Sequence, residues 1–301
     1  MCTVRLRAIV LAGVLLSLAV TAFTLPRVPA VSPWPLLLGL LPWLAGKYLL
    51  CPLRWWVVTT GAPPAGWHVR TFAEAELLGM LTPGNVGSDV WRVHRLSGRG
   101  TPRADALVSV GLDRIVGGIA LAGFMVAASA TLPVRMLAVM ALLAGAAGIV
   151  ALVARRRWPR FAPSHPLPGP GRLAAGLALS AGYQLSIAAL LMGILAGTGQ
   201  SVSPLALVGA FGAAQVAGAV PGPHGASPRD AALVMTIAAL GVPLSVAAAA
   251  VALKAVVAWC PAIALGGASL WLTRRGDGRD AVPTLARCTS PPPTLSRSTA
   301  W

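Results

Sequence analysis

The sequence predicts an all-α, polytopic integral membrane bundle. Of its 301 residues, 56% are hydrophobic and only 11% are charged, and the mean hydropathy is +0.75. Soluble chains carry roughly 25% charged residues, so a soluble fold could not hide this much apolar surface. Apolar runs of bilayer-crossing length recur along the chain, and the bases collect in the loops between them rather than on one soluble face. The net charge of +16 therefore marks topology and anionic lipid surfaces rather than nucleic acid.

A span needs roughly 20 apolar residues. Runs at 8–25, 35–53, 104–130, 136–154, 173–198, 204–220 and 244–272 qualify, and 231–242 is a shorter eighth. The run 8–25 lacks a small-residue cleavage site before Pro26 and is kept as a span. The run 231–242 either crosses or dips in and returns. With about eight crossings and the N-terminus inside, only Arg27 and Arg135 face outside, as positive-inside orientation requires. Were 231–242 re-entrant, the C-terminus and its arginines would lie outside, so the bias favours a crossing. Trp34, Trp55, Trp56, Trp158 and Trp271 sit at span ends, where an aromatic belt forms. The expected organisation is a membrane domain over 1–275 and a disordered cytoplasmic tail over 276–301, rich in Ser, Thr, Pro and Arg. Between spans, Trp67–Leu81 reads as a helix that lies at the interface or dips in and ends at Pro83. Arg-heavy, Lys-poor usage is that of a high-GC bacterial genome. Cys2, Cys51, Cys260 and Cys288 show no metal-ligand spacing and read as unpaired thiols.

Two polar, helix-breaking segments interrupt this pattern. One is Pro83-Gly84-Asn85-Val86-Gly87-Ser88-Asp89-Val90-Trp91-Arg92. The other is Pro221-Gly222-Pro223-His224-Gly225, followed by Arg229-Asp230. Broken segments in corresponding halves of a membrane protein suggest an inverted repeat whose broken or re-entrant helices, near 83–92 and 221–230, meet at a substrate site. Pro83, Gly84, Gly87, Pro221, Gly222 and Gly225 would leave backbone N–H groups free for an anion.

The charged residues near these breaks each admit two readings. Asp89, Arg92 and Arg95 form either a polar mouth for a phosphate or an ordinary loop-to-helix junction. Asp113 and Arg114 lie about ten residues into an apolar run, where each charge costs about 2.5–3.5 kcal/mol on insertion scales. Adjacent on a helix, they point about 100° apart and need separate partners. Lys254 is similarly deep, whereas Lys47, near a span end, can snorkel. Arg229 and Asp230 follow Pro228, which also suits simple helix capping. The four histidines show no ligand spacing, and no catalytic triad, paired-carboxylate site or nucleotide loop is present. No catalytic residue, metal or cofactor is expected.

The chain resembles the flippase-like transmembrane domain of lysylphosphatidylglycerol synthetases, which also occurs as stand-alone proteins. The resemblance covers roughly 5–275. It rests on Leu53-Arg54-Trp55-Trp56, the segment Pro83 to Arg92, and Leu112-Asp113-Arg114. It continues through Pro221 to Gly225 with Arg229-Asp230-Ala231-Ala232, Leu240-Gly241-Val242-Pro243, and Lys254, where the family usually has arginine. His224, Ser227, Pro228 and Asp230 replace the usual Gly, Gly, small residue and Glu, and Ser88 replaces a frequent glycine.

The resemblance implies a multi-pass protein of the bacterial inner membrane, with both termini cytoplasmic, that moves an anionic or modified phospholipid, or another lipid-linked substrate, between leaflets. Its partners would be membrane lipids, not nucleic acid. The aminoacyl-transferase domain of the synthetases would need several hundred more residues, so the chain is not expected to make the lipid. Two alternatives are a membrane enzyme or accessory subunit acting on polyprenyl-phosphate-linked sugars, and a degenerate member without transport.

Overall fold

Proline and glycine set most of the helix boundaries. The computed structural model describes Ala19 and residues 32–61, 63–82, 85–127, 166–217 and 227–280, in which helices are joined by turns and no strand occurs. α1 spans Pro33–Val58, α2 Ala65–Met80, α3 Val86–Ser97 and α4 Arg103–Ala127. α5 spans Pro170–Gly197, α6 Pro204–Ala217 and α7 Pro228–Ala239. α8 begins at Leu244 and continues to Asp280. Pro33, Pro170 and Pro228 occupy first helical turns, where a missing N–H costs nothing. Two π-turns interrupt the long helices, at Gly46–Leu50 before Pro52 and at Ala262–Gly266 after Pro261. Each lies beside a proline whose ring displaces the carbonyl one turn back.

Among the described residues, α1, α4, α5 and α8 are long and apolar enough to cross a membrane. α7 has 12 residues, or about 18 Å at 1.5 Å per residue, short of a core about 30 Å thick. The described part of the run 204–220, α6 over Pro204–Ala217, packs side by side with α7. The Thr236 hydroxyl donates to the Ala210 carbonyl between them at 3.3 Å. α2 and α3 form the matching pair in the first half. The expected spans 8–25 (apart from Ala19) and 136–154, and residues 281–301 of the expected tail, lie outside the described residues.

Each half is thus a long helix, a short helical pair and a second long helix. The first long helices of the two halves run antiparallel along their length. The Ser32 N–H donates to the Gly197 carbonyl at one end, Gly46 faces Ser186 midway, and Val58 meets Gly176 at the other end. Gly39 and Gly193 let the backbones touch, since a Cβ on either would strike the opposing carbonyl. The short pairs then exchange partners. α2 packs on α8, with Ala73 and Leu77 against Gly266, while α6 packs on α4, with Gly212 against Leu121 and Met125. This reciprocal, antiparallel arrangement is the geometry of an inverted repeat.

The outer surface is apolar where lipid would lie. Trp34, Leu37, Leu38 and Leu41 form an exposed stripe on α1, and Ile115, Ile119 and Val126 one on α4. Both follow the helical period.

Candidate functional site

Charged side chains converge where the halves meet. The Asp113 carboxylate on α4 bridges two guanidiniums, Arg54 Nε of α1 at 2.6 Å and Arg92 Nη2 of α3 at 2.7 Å. Arg54 also donates to Ser180 Oγ of α5 at 3.0 Å. Arg92 stacks over the Trp55 ring, 4.3 Å from its centroid, which recovers part of its desolvation cost. Gly117 makes room for this network, because a Cβ there would come within 2.8 Å of Arg54 Nη1. Asp113 and Arg92 are almost wholly buried, with side chains 1% and 2% exposed. Their charges persist only because each is paired.

One residue further along α4, Arg114 turns to a different partner. Its Nη2 donates to Asp89 Oδ1 at 2.9 Å and its Nε to the same oxygen at 3.2 Å. This pair is open, with side chains 51% and 36% exposed. The second half holds an equivalent pair, Lys254 Nζ on α8 with Asp230 Oδ1 on α7 at 3.3 Å. In both halves an acid on the second short helix meets a base on the following long helix, 25 residues away in one and 24 in the other. The second pair is closed, at 12% and 4% exposure.

The backbone explains how the short helices are aimed. Asn85 takes the left-handed conformation at φ 60° just before α3, which Asn tolerates better than most residues. The Gly87 N–H donates to Thr82 Oγ1 at 2.8 Å, and a Cβ on Gly87 would lie 2.7 Å from the Leu78 carbonyl oxygen. In the other half Ser227 caps α7 reciprocally with Asp230, ahead of Pro228 at the first position. Three residues that depart from the family pattern, Ser227, Pro228 and Asp230, thereby form a good helix start.

These elements enclose a cavity of about 480 Å³, within the usual range for small-molecule sites. Lys47, Arg54, Arg114, Arg229 and Lys254 line it, with Glu76 as the only acid. Its apolar wall includes Leu121, Leu190 and Phe211. Lys47 does not snorkel: it pairs with Glu76 at 2.7 Å and is largely buried.

Residues 6–266 match the family model for the lysylphosphatidylglycerol synthase transmembrane region. The chain belongs to that family. Neither the curated proteins nor the solved structures gave a match.

Of the residues singled out in this lysylphosphatidylglycerol synthase transmembrane region, Asp89, Arg92, Asp113 and Arg114 share one network. Asp230 and Lys254 form the repeat-related pair, and Arg229 lines the cavity beside them. Arg95 stands apart, in an ion pair with Glu74 at 3.3 Å. Glu74 also accepts from Trp91, Ser269 and Thr273, tying the first short pair to α8. Gly87 opens α3, whereas Pro83, Gly84, Pro221, Gly222 and Gly225 lie outside the described residues. Among the charged cavity residues, Arg54 and Glu76 are not singled out from sequence, and Lys47 is expected only to snorkel. Arg54 lies in the Leu-Arg-Trp-Trp motif, and that motif is the signal that could have found it. No group of three His, Cys, Asp or Glu side chains that could hold a metal occurs among the described residues. Cys51 and Cys260 are free thiols.

Proposed function

We propose that this protein moves a lipid with an anionic headgroup between membrane leaflets, with the headgroup held in the central cavity and the acyl chains left in the bilayer. The observation that carries the reading is the cationic cavity set between two inverted helix–pair–helix units. Arg114 and Lys254 are its working cations, because each is a repeat-related base that lines the cavity while paired to an acid on a short helix. A phosphate competes with those acids for the bases. It thereby couples headgroup binding to the position of the short helices.

The two pairs differ in exposure, open in the first half and closed in the second. An exchange of these environments between related halves is the alternation an inverted repeat allows. If both short pairs are re-entrant, from opposite sides of the bacterial inner membrane, the bases stay inside and both termini remain cytoplasmic. The alternative of an enzyme acting on polyprenyl-linked sugars is less well supported. Each carboxylate at or beside the cavity (Glu76, Asp89, Asp113 and Asp230) is engaged by a cation, and none is left as a free general base.

Leaflet-resolved lipidomics of a deletion strain tests the proposal. The expected result is accumulation of one anionic lipid class in the leaflet where it is made. Unchanged asymmetry in every anionic class would refute it.

A further inference from the structure

The charge balance around the cavity narrows the substrate class. The cavity and the network behind it hold six cations: Lys47, Arg54, Arg92, Arg114, Arg229 and Lys254. Four carboxylates face them: Glu76, Asp89, Asp113 and Asp230. Two positive charges remain in excess. Five of the cations have a close carboxylate, with Arg54 and Arg92 sharing Asp113, and Arg229 has a buried Nε with no hydrogen-bond partner among the described residues.

The rest of the sequence offers no compensation. Residues 1–31, 128–165 and 218–226 contain no Asp or Glu. Of the other acids, Glu74 is taken by Arg95, and Asp105 borders a separate small pocket beside Thr59 and Ser109. Asp277 and Asp280 lie in the last turns of α8 among Arg274, Arg275 and Arg279.

We propose that the cavity is matched to a headgroup carrying two negative charges, a phosphomonoester lipid or a diphosphate lipid esterified at both ends, and discriminates against zwitterionic and aminoacylated cationic headgroups. This rests on the lipid-translocation reading for its site, but it is a statement about binding. A dianion brings the buried ledger to neutrality. A phosphodiester monoanion leaves one charge unpaired, and a cationic headgroup adds a third. Uncompensated charge in a water-poor site is what binding selects against. Arg229, which lines the cavity, supplies a buried donor left unused among the described residues.

The test separates binding from movement. Purified full-length protein in detergent is titrated at pH 8, where a phosphomonoester carries close to two charges. The ligands share their acyl chains and bear phosphomonoester, doubly esterified diphosphate, phosphoglycerol, phosphoethanolamine or lysyl-phosphoglycerol headgroups; inorganic phosphate is the soluble control. The dianionic lipids should bind about tenfold or more tightly than phosphoglycerol, the scale of one charged hydrogen bond. Arg229→Gln should erase that preference, and Arg229→Lys should retain part of it. Melting without ligand shows that each variant is folded, and Lys254→Gln gives a second route to the same loss of preference.

Equal binding of all anionic lipids, or preference for the lysyl headgroup, overturns the inference. So does inorganic phosphate binding as tightly as the dianionic lipids, which would make free phosphate the ligand. Leaflet exchange of the same lipids in vesicles is scored separately. Selective binding without exchange would overturn translocation and leave the charge match standing. Exchange without selectivity would do the reverse.

Discussion

Replacing Asp113 by asparagine removes the single negative charge between two buried guanidiniums. Asp113 sits 2.6 Å from Arg54 and 2.7 Å from Arg92, and its side chain is 1% exposed. Deleting one partner of a buried ion pair costs about 3–5 kcal/mol, because the remaining charge is stranded. Here two charges are stranded, and the new amide presents N–H donors to groups that can only donate. The expected loss is therefore at the upper end of that range. Arg92→Met should cost less, since Asp113 keeps Arg54. Arg114→Ala should cost about 0–1 kcal/mol, because its pair is half-exposed and screened. The assay is unfolding in mixed micelles by titration with a denaturing detergent, followed by circular dichroism. The reasoning fails if Asp113→Asn and Arg114→Ala shift the midpoint equally, or if Asp113→Asn is neutral.

Other expectations follow from single contacts. Gly87→Ala places a Cβ 2.6 Å from Thr82 Oγ1 and 2.7 Å from the Leu78 carbonyl oxygen, and should cost about 1–3 kcal/mol in the same titration. Ser227→Ala should cost about 1 kcal/mol by removing the α7 cap. Burial among Trp55, Trp67 and the nearby Arg92 charge pushes the His68 imidazole, on the non-spanning α2, down to about 4. An unfolded histidine titrates near 6.5, so the unfolded state takes up the proton first. Stability should be intact above about pH 7 and fall as pH drops towards 4. His68→Phe should flatten that slope in melting curves recorded against pH.

Much of the fold can be read from the sequence because its causes are local. Hydropathy marks α1, α4, α5 and α8, and the Pro-Gly breaks mark where the short pairs turn. The number of crossings is less legible. The run 204–220 has a span's composition, yet its described part packs against α7 and α4, and apolarity does not distinguish a helix buried in the fold from a crossing one. The parity argument that made 231–242 cross assumed that 204–220 also crossed. If both limbs return, the arginines stay on the same side.

The site divides in the same way. Asp113, Arg114 and Lys254 are conspicuous because charge deep in an apolar run is costly. Arg54 hides because hydropathy makes it a span terminus, although α1 continues to Val58. Lys47 and Glu76 lie on different helices, and only the packing of α2 against α1 brings them to 2.7 Å. The kinship of Asp89–Arg114 with Asp230–Lys254 emerges from pairing across helices, which a linear motif does not display.

Leaflet exchange of a labelled anionic lipid in vesicles reconstituted with the purified protein tests the central claim most directly. The account expects exchange well above that of protein-free vesicles. Arg114→Ala should reduce it about tenfold or more, the scale of a lost charged hydrogen bond, while melting stays close to wild type because its pair is half-exposed. Lys254→Ala should reduce it as much but also lower melting, because it strands the buried Asp230. Exchange no faster than in protein-free vesicles, or exchange unaffected by both substitutions, would contradict it.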